Sequence, residues 1–390
     1  MNATILVLNA GSSSIKFGLY QAIYRDLSAI CQGKIDIRDN ASLFQVKDSQ
    51  NHSLWQQSVH ASCHEDAILI LLQWLETHMS EHPPTAIGHR IVHGGTMFDQ
   101  SVILDESVIQ RLFQLVPLAP LHQPDGLAGI SSLQRFKPDL RQVACFDTTF
   151  HRTMPETERI YALPRHLTDQ GIQRYGFHGL SYEYIAHKLP DHMGNRAEGR
   201  IIVAHLGNGV SLCALKQRRS IATTMGFTPL EGLPMGTRCG NLDPAVLLYL
   251  MREQRMDHDN LSELLHRHAG LLGVSGISAD MRTLLASDAP CARQAVDLFV
   301  WQLCRHIGAM AATLEGIDGL VFTAGIGEHA SEIRARVCAR LGWLGVRLDV
   351  SANRANATCI HTAESHVSVL VLPTDEEIVI ARHTLQLITP

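Results

Sequence analysis

The sequence predicts a mixed α/β protein of two domains, on the basis of three observations. The chain has 390 residues, which suits two domains of roughly 100–200 residues each. Short apolar segments typical of β-strands alternate with longer segments whose apolar residues recur at helical spacing. A strand, a turn of glycine and small polar residues, and a second strand occur at the start of the chain and again near residue 200. This repeat suggests that one type of domain is duplicated.

The composition excludes several classes of protein. Hydrophobic residues make up 45% of the chain and charged residues 18%, which is enough for a sizeable core and too apolar for a disordered chain. The net charge of −5 predicts no nucleic-acid partner and no basic membrane surface. No apolar run reaches the roughly 18 residues of a transmembrane helix, and the first residues lack a signal-peptide pattern. Nine cysteines without a Cys-x-x-Cys pair predict reduced thiols and a cytoplasmic protein.

Two segments have the pattern of a β-hairpin. Residues 5–19 contain a short apolar run, a polar turn with glycine and a return strand of alternating apolar residues, which is the signature of two strands joined by a turn. Residues 201–215 repeat that order. When the two hairpins are aligned, Asn9 of the first turn corresponds to His205 of the second.

The remaining elements follow from periodicity, caps and glycine or proline stops. The segments predicted as helices are 63–79, 106–116, one from 243, 291–315, one that follows residues 324–327 and ends near 342, and one from about 375. The segments predicted as further strands are 86–92, 143–146, 319–323 and 367–372.

Several glycine-rich turns follow apolar strands, and such turns can cradle phosphate oxygens because glycine lets backbone N–H groups approach closely. One such turn alone is typical of an ordinary hairpin, but several in one chain favour a nucleotide phosphate site. It is not a P-loop, because Gly-x-x-x-x-Gly-Lys-Ser/Thr is absent.

Residues 325–330 match the dinucleotide fingerprint Gly-x-Gly-x-x-Gly/Ala, with Asp349 about 20 residues further on. An NAD-dependent dehydrogenase is therefore one alternative. Against it, the fingerprint lies near the end of the chain, and it leaves the other glycine-rich turns without a role.

Four charged or titratable residues stand where packing alone does not explain them. Arg90 and Arg238 lie in glycine-rich turns, where a guanidinium can bind a carboxylate or a phosphate with two hydrogen bonds. Asp147 ends a buried strand, where it could also cap the following turn. His178 lies between glycines in an aromatic turn, where a structural role is equally open.

The motifs of this chain run in one order over nearly its whole length: residues 9–16, 89–95, 118–122, 146–148, 175–179, 205–209, 228–232, 235–238, 322–328 and 374–377. With these motifs the chain resembles the acetokinase family of the sugar kinase/Hsp70/actin superfamily. The resemblance implies two RNase H-like domains around a central cleft. The N-terminal domain would comprise 1–149 plus 376–390, including a returning C-terminal helix. The other domain, 150–375, would bind nucleotide and form a homodimer.

The resemblance implies Mg²⁺-dependent transfer of phosphate between ATP and acetate, giving ADP and acetyl phosphate, with Mn²⁺ as a substitute metal. Propionate is the alternative substrate, because propionate kinases share these motifs. The partners would be nucleotide and a small carboxylate. A non-catalytic binding protein of the same superfamily is a rival, but it would have no use for the residues matched to catalysis.

The family roles transfer position by position. The catalytic positions are Asp147, His178 and Arg238. The substrate positions are Arg90 and His122, with Val92, Leu121, Phe177 and Pro229 as an apolar pocket for the acyl group. The nucleotide positions are Ser12, Ser14, Lys16, His205, Leu206, Gly207, Asn208, Gly209, Asp280, Met281, Arg282, Gly325, Ile326, Gly327, Glu328 and His329. The metal positions are Asn9 and Glu376.

Two physical arguments refine these roles. Acetate is already ionised at pH 7, so we expect Asp147 to orient the metal or the arginines rather than to act as a base. Thr374 and Glu377 have the spacing of a capping box, which would leave the neighbouring Glu376 for the metal.

Overall fold

The computed structural model describes residues 3–11, 14–23, 26–38 and 42–389. The chain forms two compact units. Unit 1 comprises Met1–Thr149 and Asp375–Pro390, and unit 2 comprises Phe150–Thr374.

The secondary-structure elements are numbered in chain order. The strands are β1 (Ala3–Gly11), β2 (Ser14–Ile23), β3 (Asp26–Asp36), β4 (Ser42–Asp48), β5 (Ser53–Val59), β6 (Ala86–Ile91), β7 (Val102–Ile103), β8 (Arg141–Phe146), β9 (Arg200–Leu206), β10 (Val210–Lys216), β11 (Arg219–Thr223), β12 (Gly319–Thr323) and β13 (Ser368–Val371). The helices are α1 (His64–His78), α2 (Glu106–Phe113), α3 (Gln123–Phe136), α4 (Glu156–Arg159), α5 (Arg165–Asp169), α6 (Gly179–Met193), α7 (Pro244–Glu253), α8 (His258–Arg267), α9 (Gly270–Ser275), α10 (Met281–Leu285), α11 (Pro290–Thr313), α12 (Ala324–His329), α13 (Ser331–Arg340), α14 (Val350–Arg354) and α15 (Glu376–Ile388).

The sheet of unit 1 has the strand order β5-β4-β3-β2-β1-β6-β8-β7. Strands β1 and β2 form the predicted hairpin, with Asn9 opposite Lys16 and Gly11 opposite Ser14. Strand β6 pairs parallel with β1, and β8 pairs parallel with β6. The sheet is therefore antiparallel on one side of β1 and parallel on the other.

The sheet of unit 2 repeats this arrangement in the order β11-β10-β9-β12-β13. Strands β9 and β10 form the second hairpin, and β12 pairs parallel with both β9 and β13. The same order and directions occur in β3-β2-β1-β6-β8 of unit 1. The predicted α/β class is confirmed, and the predicted duplication is present as a repeated RNase H-like sheet.

The sheet of unit 1 is covered on both faces, and the four consecutive apolar residues 5–8 of β1 are all buried, as expected for a strand packed on two sides. On one face Leu6 and Leu8 join a core with Ile68 and Leu71 of α1 and Leu133 of α3. Helix α15 packs against β1, β6 and β8. Burial of each such side chain contributes about 1.5–3 kcal/mol.

In unit 2, helix α6 packs against the sheet through Tyr182, Ile185 and Leu189, which share a core with Ile201 and Val203 of β9. Helix α11 packs against β9 and β10. Among the described helices of the whole chain, none combines the length and apolar character needed to cross a bilayer.

We expect a methyl group at Gly88, in the centre of β6, to disturb the packing of α15. A Cβ there would lie 2.4 Å from Thr384 Oγ1 and 2.6 Å from Ile380 Cγ2. Overpacking of this kind costs about 1–3 kcal/mol, so Gly88→Ala should lower the midpoint of urea unfolding. The matched control is Gly342→Ala, because nothing lies within 4 Å of a Cβ at that position. Equal midpoints for the two variants would contradict the prediction.

Candidate functional site

In unit 1, four of the predicted residues meet at one edge of the sheet. Asn9 lies near the end of β1, Arg90 near the end of β6, and Asp147 directly after β8. These three strands run parallel, so their carboxyl ends coincide, and that edge is where open α/β sheets bind ligands. Glu376 reaches the same place as the first residue of α15.

The Arg90 guanidinium is the centre of this group. Its Nε lies 3.0 Å from Asp147 Oδ1 and its Nη2 lies 2.5 Å from Asp147 Oδ2, which is the two-bond geometry of a strong arginine–carboxylate pair. Its Nη1 donates to Asn9 Oδ1 at 3.1 Å, and its Nε lies 3.7 Å from Glu376 Oε2. The Asp147 side chain is only 1% exposed. The guanidinium is therefore held in one orientation.

The pKa values of this group reflect burial and mutual charge. Burial by itself would lower the Arg90 pKa, but the Asp147 and Glu376 carboxylates raise it above its ordinary value. Burial raises the pKa of Glu376 to about 7; Arg90 opposes this shift, while the charges of Asp147 and Glu377 add to it. Near neutral pH, the Glu376 carboxyl is therefore only partly ionised.

The predicted capping box at the start of α15 is wrong. The N-cap is Asp375, whose Oδ1 accepts from the Ile378 backbone N–H at 2.9 Å, while Thr374 Oγ1 lies 2.8 Å from Ser181 Oγ. Aspartate is at least as good an N-cap as threonine, and here it stands one residue closer to the helix. The expectation that Glu376 is not needed for the cap is unaffected.

The other predicted residues of unit 1 differ in their exposure, and one lies outside the described part of the chain. Lys16 is exposed on β2, and its charge lowers the Glu376 pKa. Ser14 is half-buried, whereas Ser12 lies outside the described residues. His122 is the half-buried N-cap residue of α3. Of the proposed acyl-pocket residues in this unit, Val92 is half-buried and Leu121 is exposed.

In unit 2, the turn between β9 and β10 lies against the other two predicted catalytic residues. A Cβ at Gly209 would lie 2.8 Å from His178 Nε2 and 3.8 Å from Arg238 Nη1, so glycine lets both side chains approach the turn. The His178 ring stacks on His205 with 4.1 Å between ring centroids. His178 Nδ1 lies 2.8 Å from Ser211 Oγ. The turn is shorter than predicted, because His205 and Leu206 complete β9.

The Arg238 side chain is oriented by its own loop. Its Nη1 donates to the Pro229 carbonyl at 3.2 Å. The loop is tied to α9, since Leu271 N donates to Met235 O at 2.8 Å and Leu272 N donates to Gly236 O at 2.9 Å. These backbone bonds hold the arginine on a loop that carries no helix or strand of its own.

Parts of the predicted nucleotide site also meet around the turn in unit 2. A Cβ at Gly207 would lie 3.5 Å from the Ala324 Cβ at the start of α12, and one at Gly236 would lie 3.5 Å from Asn208 Oδ1 and 3.2 Å from Ala279 O. The turn, the Arg238 loop, the approach to α10 and the start of α12 are thus neighbours.

Two predicted nucleotide residues beside α10 are exposed and one is not. Asp280 caps α10 and pairs with the exposed Arg282 at 3.4 Å. Met281 is 2% exposed, which makes its side chain part of the core. Phe177, predicted to line the acyl pocket, is also a core residue: it is 1% exposed, and its carbonyl lies 2.9 Å from His151 Nε2. Pro229 is half-buried.

The predicted glycine turn at residues 325–329 is helical. Ala324 has a positive φ of 63°, which turns the chain sharply after β12, so that Gly325, Ile326, Gly327, Glu328 and His329 belong to α12. Glycine spacing alone does not distinguish a phosphate-binding turn from a short helix with glycines. A Cβ at Gly325 would meet nothing within 4 Å.

The same segment does not form a dinucleotide-binding unit. Asp349, the acid expected about 20 residues after the fingerprint, caps α14 by accepting from Ser351 N and Ala352 N. The sheet is also mixed, with β10 and β11 antiparallel. The dehydrogenase alternative is therefore wrong.

Sequence reasoning missed Arg334, which is fully buried on α13. Its Nη1 donates to Gly327 O and Glu328 O at 2.8 and 2.9 Å, and its Nε donates to Asn353 Oδ1 at 2.8 Å. It thus fixes the end of α12. Its position in the sequence could have indicated burial, because Arg334 shares a helix face with the apolar residues three and four positions further on.

Within the described ranges, no group of three or more His, Cys, Asp or Glu residues could hold a metal ion. Asn9 and Glu376 nevertheless place amide and carboxylate oxygens beside one guanidinium. Mg²⁺ commonly takes one or two carboxylates together with substrate phosphates and water. These residues fit a nucleotide-bound Mg²⁺ better than an all-protein metal cage.

Comparison with known proteins identifies the family of this chain. The sequence model of the acetokinase family matches residues 4–382. The chain belongs to the acetokinase family. It is 52% identical over 393 residues to the acetate kinase of Rhodopseudomonas palustris strain TIE-1, covering 99% of each chain. It is 45% identical over 398 residues to that of Methylocella silvestris, covering 100% of this chain and 98% of the relative.

Solved structures of this family are similar over the whole chain. The acetate kinase of Porphyromonas gingivalis is 35% identical with a TM-score of 0.88, covering 99% of this chain and 100% of the other. A propionate kinase from Francisella tularensis is 35% identical with a TM-score of 0.92 and the same coverage.

We expect Glu376 to make stability depend on pH when no metal is added. Because its pKa is about 7 in the folded chain against an ordinary 4.5, the folded state favours the protonated carboxyl. The stability that this protonation contributes is fully present below about pH 4.5 and is lost as the pH rises through 7. In EDTA, the Tm of Glu376→Gln relative to the wild type should therefore rise between pH 5 and pH 8.

The control is Glu106→Gln, because Glu106 is likewise the first residue of a helix but is exposed. Its Tm difference from the wild type should not change over this range. A Glu376→Gln difference that is constant or falls with pH would contradict the assignment.

Proposed function

We propose that this chain reversibly transfers the γ-phosphate of ATP to the carboxylate of acetate, giving ADP and acetyl phosphate by direct in-line displacement. The observation that carries the reaction class is family membership over residues 4–382, with 52% identity to an acetate kinase along the full length. The chain is accordingly an ATP-using phosphotransferase with a carboxyl group as acceptor. The in-line path and the residue roles are proposals that rest on the geometry of the two units.

Arg90 would bind the acetate carboxylate. Three of its five N–H groups are engaged by Asp147 and Asn9, which leaves one on Nη1 and one on Nη2 for a ligand. Both Asp147 oxygens accept from this guanidinium. Asp147 therefore acts by orienting Arg90, since a substrate that is already ionised needs no general base.

His178 and Arg238 would stabilise the charge on the transferring phosphoryl group. In phosphoryl transfer the protein mainly positions groups and neutralises charge, and these two side chains approach one glycine turn. The nucleotide phosphates would lie near residues 205–209, 280–282 and 325–329 of unit 2. In unit 1, Lys16, Ser12 and Ser14 are proposed as nucleotide-binding residues. His122 would complete the acetate site beside Val92 and Leu121.

Asn9 and Glu376 would hold the Mg²⁺ that accompanies ATP, with Mn²⁺ as a substitute. When bound, the ion neutralises phosphate charge. To bind the ion as a carboxylate, Glu376 would lose the proton that it otherwise keeps up to about pH 7.

The test is a hydroxamate assay with ATP, Mg²⁺ and each of acetate, propionate and butyrate. We expect the highest kcat/KM for acetate, with modest discrimination, because one methylene is worth only about 1–3 kcal/mol. A higher value for propionate would favour the second candidate, which the similarity to the Francisella propionate kinase supports. Formation of no acyl phosphate from any of the three would overturn the proposed function.

We expect Arg238→Ala to lower kcat by about 10³–10⁵, the contribution of an arginine that stabilises a phosphoryl transition state. Its far-UV circular dichroism and Tm should match the wild type, because the side chain is half-buried on a loop. The control is Arg336→Ala, whose arginine pairs with Asp297 on the surface of α11 and α13. Near-normal turnover of Arg238→Ala would refute the assignment.

The two domains are proposed to be 1–149 plus 376–390 and 150–375, each built on one of the repeated sheets. A cytoplasmic location is proposed because all nine cysteines are free thiols, as expected in a reducing compartment. Fractionation of detergent-free lysates tests the location.

A homodimer is proposed through α7, whose apolar residues cover no core of their own unit. No residue of this helix is buried, and Leu248, Tyr249 and Met251 are 67%, 55% and 50% exposed. Apolar exposure of this extent marks an interaction site. Sedimentation should give twice the 43.1 kDa of the chain, Leu248→Asp should give the monomer, and the control Phe113→Asp in unit 1 should remain dimeric. A monomeric wild type would exclude the dimer.

A further inference from the structure

The segments that carry His178 and Arg238 are bound to each other in unit 2. Tyr175 N and Gly176 N both donate to Gly226 O, at 3.0 and 3.3 Å. Gly226 begins the stretch that leads through Pro229 to Arg238. The two segments are therefore joined directly by backbone hydrogen bonds.

An ion pair joins the same two segments. Arg174 Nη2 lies 2.8 Å from Glu231 Oε1, and Tyr161 Oη donates to the other carboxylate oxygen at 2.6 Å. The Tyr161 oxygen also accepts from Phe227 N at 2.8 Å, and the Arg174 guanidinium lies over the Tyr161 ring at 5.5 Å. The Glu231 carboxylate, the Arg174 guanidinium and the Tyr161 phenol thus form one network, and the Glu158 carboxylate lies 3.6 Å from the same guanidinium.

The network is tightly packed. A Cβ at Gly226 would lie 1.6 Å from Glu231 Oε2 and 2.2 Å from Tyr161 Oη, so any larger residue there would displace these two side chains. Burial by itself would lower the Arg174 pKa, but Glu231 and Tyr161 raise it above its ordinary value. The guanidinium is therefore charged, and Glu231 supplies its closest carboxylate.

The network lies a few residues from both catalytic side chains. Glu231 follows by two residues Pro229, whose carbonyl accepts from Arg238 Nη1. Arg174 precedes His178 by four residues. Displacement of this pair would move the carbonyl that orients Arg238 and the segment that presents His178 to Gly209.

We propose that Tyr161, Arg174 and Glu231 are positioning residues that hold the loop of Arg238 and the segment of His178 in fixed register. The proposal rests on the proposed function, since it assigns these residues to the same phosphoryl transfer. They act through Arg238 and His178 rather than on the substrate.

The first test compares Glu231→Gln and Tyr161→Phe with the wild type. Misplacement of a catalytic group by about 1 Å costs on the order of 10²-fold in rate, so kcat should fall roughly 10- to 100-fold for Glu231→Gln and less for Tyr161→Phe, with little change in KM for either substrate. The control is Asp318→Asn, which removes the ion pair at 2.7 Å to Arg200 at the start of β9. It should lose a similar amount of stability and keep its kcat. An unchanged kcat for Glu231→Gln overturns the proposal.

The second test is a double-mutant cycle. If Glu231 acts partly through Arg238, Glu231→Gln should cost less activity when added to Arg238→Ala than when added to the wild type, because residues acting as one unit are not additive. Full additivity would show a general structural role and overturn the proposal.

A crystal structure of Glu231→Gln separates this proposal from the proposed function. The contact of 3.2 Å between Arg238 Nη1 and Pro229 O should be lost in the variant. Persistence of that contact overturns the positioning role. An inactive wild type would refute the proposed function, and the structure of the variant would still decide whether the network positions Arg238.

Discussion

Parallel pairing of strands beside a hairpin is the constraint on which both units depend. In unit 1, β6 and β8 run parallel to β1, so three strands end at one edge and bring their terminal side chains together. Unit 2 repeats the pairing with β9, β12 and β13, and the glycine turn after β9 lies beside the start of α12. Each sheet therefore presents its chemistry at the carboxyl ends of its strands, which is the general rule for open α/β sheets.

At that edge of unit 1, one guanidinium contacts two carboxyl groups. The Arg90 guanidinium accepts two carboxylates as neighbours, and burial makes each of them depend on it. Asp147 uses both oxygens on the arginine, whereas Glu376 stands 3.7 Å away with its pKa raised to about 7 by burial. Two acids in one cluster therefore have different surroundings, and the difference comes from geometry rather than residue type. In unit 2, the backbone carbonyl of Pro229 orients Arg238, as Asp147 orients Arg90 in unit 1.

Much of the fold and part of the site could be predicted from sequence, because their signals are local. The hairpins follow from short apolar runs around polar turns, and the motifs identify the family. The helix at 325–329 was predicted as a turn, because the positive φ of Ala324 leaves no pattern in the sequence. The cap of α15 was assigned to Thr374, because two capping residues stood side by side and only the backbone selects between them. Arg334 was missed because arginine is usually a surface residue, and the oxygens that it binds here belong to backbone carbonyls and asparagine amides rather than to carboxylates.

The sequence by itself determined the family, the α/β class, the repeated hairpin and the residues that carry charge at the site. The tertiary structure alone decided which groups pair: Arg90 with Asp147 and Asn9, 57 and 81 residues apart, and Arg174 with Glu231, 57 residues apart. Such pairings depend on strand order and loop closure, which bring distant residues together and remove them from water. Burial then shifts pKa values and fixes rotamers, and neither effect can be read from the residues before the chain is folded.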